Sequence, residues 1–197
     1  MASVIISGDT SGSVTLSAPS VAGSTTQTLV AVTGILAPLV SATAQASTSG
    51  TSIDFTGIPS WVKRITIMFS GVSTSGTSIP MVQIGTSGGI QATSYTSVAA
   101  VTTTAPTVGG TAQTTGFGIT SSGAAAFIFT GTATLTLLDN SSGLFTFTYV
   151  GALTGSQSGV NYAGGSKTLS GTLDRVRITT VNGTDTFDAG SINIMYE

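Results

Sequence analysis

Apolar side chains occupy every second position in several short runs of this chain. Within residues 64–70 the alternating residues are Ile65, Ile67 and Phe69. Successive side chains of a β-strand point to opposite faces, so this pattern predicts a strand with one buried face. The same alternation occurs in four further runs, residues 132–137, 145–149, 175–179 and 191–196. No long stretch repeats its apolar residues with a helical period, and we therefore predict an all-β fold.

The residues between the apolar positions support this prediction. The chain contains 37 threonines, 28 serines and 26 glycines, which together make 91 of its 197 residues. Threonine and valine favour strands, whereas glycine and serine favour turns. Lysine, arginine and glutamate, which favour helices, number only six.

Two of the alternating runs are joined by a short polar loop. Residues 132–137 and 145–149 flank residues 138–143, where Asp, Asn, Ser and Gly favour a turn, so a β-hairpin is predicted. Further strand candidates are residues 79–84, 93–101, 117–119, 126–129 and 159–162. Roughly eight to ten strands fit two sheets packed face to face, and we predict a jelly-roll-like β-sandwich. Residues 102–115, rich in Thr, Gly and Ala, are predicted to form an exposed loop or an arm on a neighbouring subunit.

The chain changes character near residue 50. Residues 1–50 contain no aromatic residue and a single charge, Asp9, and their apolar pieces are short. Such pieces bury too little surface to offset the entropy of ordering the chain, so they need partners. We predict an extended N-terminal attachment or oligomerisation segment, 1–50, before a β-sandwich domain, 51–197. Alternatively, the segment lies along the main domain or is a disordered tail.

The chain carries very little charge. Only 12 residues are charged and the formal net charge is −2. A surface with so few charges does little to keep copies apart, so we expect a homo-oligomer or a larger assembly. The five cations are scattered, which disfavours binding to nucleic acid. The most apolar window, residues 29–40, is too short to span a bilayer and the start lacks the features of a signal peptide, so we expect no membrane insertion.

Catalytic and metal chemistry have few candidate residues. The chain has no histidine and no cysteine, which excludes Ser-His-Asp and Cys-His catalysis and the usual zinc sites. Asp54, Asp139 and Asp174 are the candidate carboxylates for glycoside hydrolysis. Nothing in the sequence indicates that they meet in space, and the aspartates mostly have turn-like contexts. The acidic segment 182–190 could supply oxygen ligands to calcium, but it matches no EF-hand loop and is predicted to be a structural turn. We predict no enzymatic activity, no cofactor and no metal.

One cluster is a candidate interface or ligand contact. Trp61 stands beside Lys63 and Arg64, and Trp and Arg are over-represented at interface hot spots. The alternative is that Trp61 caps the core where the strand 65–69 begins. Arg175 and Arg177 are predicted to lie on the solvated face of a strand and to pair with Asp54 or Asp188.

Three stretches resemble proteins of tailed bacteriophages. Residues 7–29 include SGDTSGSVTLSAP and resemble the repeat-like openings of phage fibre and virion proteins. Residues 51–66 read TSIDFTGIPSWVKRIT and residues 173–191 read LDRVRITTVNGTDTFDAGS. Both resemble a small Gly/Ser/Thr-rich domain of phage and prophage proteins. The resemblance implies a virion component and brings no catalytic motif.

These observations lead to one functional prediction with two alternatives. We expect a non-enzymatic phage structural protein in the virion, a trimeric fibre or spike subunit that contacts other virion proteins. The first alternative is a capsid decoration protein that cements the head shell. The second is a carbohydrate-binding module that recognises a host surface glycan.

Overall fold

The computed structural model describes residues 3–7, 13–17, 38–104 and 108–197. These residues form strands and loops without a helix, and they belong to two compact units, residues 1–36 and residues 37–197. The strands are β1 Ser3–Ser7, β2 Ser13–Ser17, β3 Val40–Ser41, β4 Gln45–Ala46, β5 Ser52–Thr56, β6 Arg64–Thr74, β7 Pro80–Thr86, β8 Gly89–Ile90, β9 Thr96–Thr103, β10 Val108–Gln113, β11 Phe117–Gly118, β12 Phe127–Asp139, β13 Leu144–Gly155, β14 Gly159–Thr168, β15 Arg175–Thr180 and β16 Phe187–Tyr196.

The first unit contains an antiparallel pair, β1 with β2, whose register runs from Ser3 opposite Ser17 to Ser7 opposite Ser13. The short apolar pieces at 4–6 and 14–16 therefore lie on paired strands. Residues 18–37, which include most of the apolar window 29–40, lie outside the described residues.

The second unit is built from two antiparallel sheets. The large sheet has the order β10-β9-β14-β13-β12-β6-β16-β3, with β4 also on β16. The small sheet has the order β11-β7-β15-β5, with β8 on β7. The sheets pack face to face around one core, which confirms the predicted all-β sandwich.

The pairing of strands is nested along the chain. β6 pairs with β16, β7 with β15 and β9 with β14. Each later strand of the first half therefore pairs with an earlier strand of the second half. Such nesting is typical of a jelly roll. The innermost hairpin, β12–β13, departs from that arrangement because it lies within the large sheet, between β14 and β6.

The core comes from the inward positions of both sheets. Ile65, Ile67 and Phe69 of β6 are buried, as the alternation predicted. The small sheet contributes residues such as Ile84 and Ile178, also fully buried. Aromatic rings fill the centre, where the rings of Phe117 and Phe147 stack with centroids 4.5 Å apart.

The predicted hairpin is confirmed, because β12 and β13 pair from Phe127 opposite Gly155 to Asp139 opposite Leu144. Gly143 closes its turn with a φ of +69°, a backbone conformation that favours glycine. Gly131 and Gly151 face each other across the hairpin. A Cβ on Gly151 would collide with the Tyr149 hydroxyl, so glycine is needed there to admit that ring.

Two segments differ from the sequence-based expectation. Within residues 102–115, expected to be a loop or an arm, β10 pairs along β9 as an edge strand. A strand needs only backbone groups for pairing, so a Gly- and Thr-rich segment without large apolar residues can still join a sheet. Residues 37–50, assigned from the sequence to the N-terminal segment, belong to the second unit. There β3 and β4 pair with β16, and the side chain of Ser47 is fully buried.

Candidate functional site

Trp61 lies in the turn that precedes β6 at one end of the sandwich. Its side chain is 40% exposed, and its ring packs on Tyr196 with centroids 5.9 Å apart at a tilted angle. The core cluster therefore does not include Trp61, and its indole is accessible at the rim.

Lys63 and Arg64 follow Trp61 but point to different partners. The Lys63 ammonium donates to the Asn140 side chain at 3.0 Å, whereas the Arg64 guanidinium forms an ion pair with the Glu197 side chain. Backbone N–H groups of both residues also donate to the Glu197 carbonyl. The three residues predicted as an interface or ligand contact thus share one end of the domain without converging on one point.

A cleft of about 300 Å³ opens at this end beside Lys63. Its floor is apolar, with Val62 and Phe145, and its rim carries hydroxyls of Ser60, Ser142 and Ser170. The rim can donate and accept hydrogen bonds. Its lining includes no carboxylate.

The candidate carboxylates bind separate partners. Asp54 accepts two hydrogen bonds from the Arg177 guanidinium, at 2.7 and 2.8 Å, which confirms the predicted pairing of Arg177 and raises the pKa of that arginine. Asp174 instead pairs with Arg175 at 2.9 Å. Asp139 accepts from Ser142 and Ser141 in the β12–β13 turn, and these donors lower the pKa of Asp139 to about 2.

The acidic segment 182–190 holds a turn together. Asp185 accepts from the Asn182 amide at 2.7 Å and from the Ser78 backbone N–H at 2.8 Å, which lowers its pKa. Asp188 accepts from the Ser73 hydroxyl instead. Among the described residues, no group of three or more acidic, histidine or cysteine side chains is placed to hold a metal ion.

A second surface stands out on the outer side of the large sheet. We call the outward positions of β9, β14, β13 from Thr146 onward and β12 up to Thr136 the uncharged face, because none of them is charged. Asp139 and Leu144 follow the bulge at the β12–β13 turn and lie outside this face. The residues of the uncharged face are Thr96, Val98, Ala100 and Thr102, then Val160, Tyr162, Gly164, Ser166 and Thr168, then Thr146, Thr148, Val150, Ala152 and Thr154, and finally Ile128, Thr130, Thr132, Thr134 and Thr136. Lys167, the cation in these strands, points inward, where burial lowers its pKa and its ammonium lies 5.4 Å from the Tyr95 ring centroid.

Apolar residues of the uncharged face are adjacent. Val150 pairs with Tyr162 and Tyr162 with Ala100, while in the next row Ala152 pairs with Val160. Val98 lies one row away, opposite Gly164. We call six of these residues the apolar patch: Val98, Ala100, Val150, Ala152, Val160 and Tyr162. Its large members are well exposed, Val150 at 61%, Val98 at 54%, Val160 at 50% and Tyr162 at 43%.

The sequence reasoning missed this patch. The sequence does contain a sign of it. Val150, Val160 and Tyr162 stand at outward positions of the alternating pattern, where other strands carry Thr or Ser. An alternation of apolar and polar residues marks one face as buried, but an apolar residue on the other face is visible only after the strands are placed side by side.

The two later stretches with phage-like sequence are neighbours in space. Residues 51–66 contain β5 and the start of β6, and residues 173–191 contain β15 and the start of β16. β15 pairs with β5, and β16 pairs with β6. The Arg177–Asp54 ion pair and a hydrogen bond from the Ile58 N–H to the Asp174 carbonyl join them further.

No protein-family model, curated protein or solved structure matches this chain. The resemblance to tailed-phage proteins therefore stays a prediction. The described part of the chain also has no helix that is long and apolar enough to cross a membrane.

Proposed function

We propose that this protein is a non-enzymatic structural subunit of a bacteriophage particle and that it works by assembling with further copies of itself. A homotrimeric fibre or spike subunit is the form that we favour. The phage assignment draws on the resemblance of residues 51–66 and 173–191, and the assembly assignment draws on the distribution of charge.

The observation that carries the proposal is that the cationic side chains of the described residues are paired, hydrogen-bonded or buried within the chain. Among the described residues, Arg64, Arg175 and Arg177 pair with carboxylates, Lys63 donates to Asn140, and Lys167 is buried. Soluble monomers rely on interspersed free charges to stay apart. A surface of hydroxyl, glycine and apolar residues lacks that protection and suits contact with other subunits.

The chemistry of the domain supports a structural role over a catalytic one. The cleft beside Lys63 offers hydroxyls and one ammonium group, and the carboxylates are engaged in separate ion pairs and turns. Nothing in this arrangement activates a nucleophile or places an acid opposite a base.

The experiment is to measure the mass in solution and to locate the protein on particles. Light scattering at micromolar concentration should give three times the 19.4 kDa monomer mass, and the melting temperature should rise with protein concentration. Antibody against the protein should label purified particles of the encoding phage in electron micrographs. A monomer mass at every concentration would contradict self-assembly, and unlabelled particles would contradict the virion assignment.

A further inference from the structure

We infer that the uncharged face of the large sheet is the surface on which a second copy of this chain docks. The inference rests on the proposed self-assembly and assigns it to a place on the molecule. It starts from the apolar patch, whose side chains belong to three adjacent strands, β13, β14 and β9.

The patch is unusual because it is contiguous. Single exposed apolar residues are ordinary on protein surfaces, but adjacent ones rimmed by polar residues mark interaction sites. Val150, Tyr162 and Ala100 form one row across the strands, and Ala152 and Val160 form the next. The flanking strand β12 presents threonines, Thr130 to Thr136 at every second position. This arrangement of an apolar centre with a hydroxyl rim matches the anatomy of protein interfaces.

Charge identifies the occupant as a second copy. When the same surface of three copies meets around a three-fold axis, equivalent charges near that axis face one another, which costs free energy. The uncharged face carries no charged side chain, so the faces of several copies can meet without that cost. A charged partner such as nucleic acid would instead lose solvation without finding a counter-charge.

The size of the surface is sufficient. The uncharged face spans four neighbouring strands of the large sheet, β9, β14, β13 and β12. At about 4.8 Å between strands and about ten residues of 3.4 Å each, it covers roughly 650 Å². Stable interfaces take about 600–1,000 Å² from each partner. One copy therefore has enough surface on this side for a stable contact.

Single cysteines test the inference cleanly, because the native chain has none. Val150→Cys places a thiol in the patch, and Val181→Cys places one on an exposed apolar residue in the turn after β15. In the assembled protein, maleimide should label Val150→Cys at least about tenfold more slowly than Val181→Cys. The two rates should become equal on dilution to the monomer.

A matched lysine pair gives the second measurement. Val150→Lys should raise the dissociation constant of the assembly at least about a hundredfold, while Val181→Lys should leave it unchanged. Equal melting of the two monomers would show that both variants are folded.

If the protein assembles while the thiol of Val150→Cys stays fully reactive, the assignment of this face is overturned and self-assembly still stands. Protection of Val150→Cys that persists in the monomer would mean that a segment of the same chain covers the face, and a monomer at every concentration would overturn both proposals.

Discussion

At the scale of single residues, each strand of the large sheet separates two environments. Ile67 is fully buried between Ala133 of β12 and Ile194 of β16, whereas Thr66, one position earlier, is partly exposed on the outer side. The pleat of the strand sends neighbouring side chains to opposite faces, so adjacent substitutions report on different interactions. This contrast makes β6 a sensitive place to test both register and assembly.

We expect Ile67→Asp to unfold the domain. The substitution places a carboxylate in the core without a partner, and the loss of stability should exceed about 4 kcal/mol, because a buried unpaired charge either protonates or disrupts its surroundings. Thr66→Asp is the matched control and should change the free energy of unfolding by less than about 1 kcal/mol. Denaturant titration of both variants measures the difference, and equal tolerance would contradict the strand register.

Tyrosine hydroxyls in the core give the domain a dependence on alkaline pH. The Tyr149 hydroxyl is buried and has no hydrogen-bond partner among the described residues, and burial raises its pKa above the usual 10.0. Tyr95 is also buried, and desolvation raises its pKa to about 12, although its hydroxyl accepts from the Ile84 N–H. The folded state binds these protons more tightly than the unfolded state. Their contribution to stability is therefore complete below pH 10 and is lost as the pH rises above it.

Tyr149→Phe should flatten this dependence. At pH 11 the wild type should have lost about 1.4 kcal/mol more than the variant, relative to neutral pH, because one titrating group has been removed. At neutral pH the substitution should cost less than about 1 kcal/mol, since the hydroxyl has no partner to lose. Urea titrations between pH 8 and 11.5 make the measurement, and parallel curves for both proteins would show that Tyr149 does not titrate as argued.

At the scale of elements, short strands at the edge of the large sheet are tied in by specific hydrogen bonds. β3 and β4 have two residues each, yet Ser47 after β4 donates its hydroxyl to the Ala189 carbonyl at 2.8 Å and its N–H to the Gly190 carbonyl at 3.0 Å. The Gly50 carbonyl accepts from the Phe187 N–H at 2.8 Å. The segment 38–50 is therefore part of the sheet that it borders.

Two deletions should separate the roles of the N-terminal residues. Removing residues 1–36 should leave the thermal melt of the second unit unchanged, because that unit begins at Ala37. Removing residues 1–50 also removes β3, β4 and the bonds of Ser47, and should cost at least about 2 kcal/mol at roughly 0.5–1.5 kcal/mol for each hydrogen bond. Calorimetry of the two truncated proteins distinguishes them, and coincident melts would mean that β3 and β4 contribute nothing to stability.

At the scale of the whole molecule, the nested pairing brings distant parts of the chain together. β6 meets β16 and β5 meets β15, so the core closes only when both ends of residues 51–197 are present. The same arrangement puts all the outward positions of β9, β14, β13 and β12 on one continuous surface. The proposed assembly surface is therefore a property of the closed domain rather than of any single strand.

The sequence by itself determined the all-β class, the buried face of β6 and the hairpin of β12 with β13. These features follow from alternation and turn residues, which act between neighbours along the chain. The tertiary structure alone decided that β10 joins β9, that residues 37–50 belong to the second unit and that Val150 lies beside Tyr162. Strands pair through backbone N–H and C=O groups, which every residue except proline carries in full. The local sequence therefore does not indicate which distant strand will be the partner. The apolar patch exists only because β13, β14 and β9 become neighbours, and that neighbourhood is set by the closure of the whole sandwich.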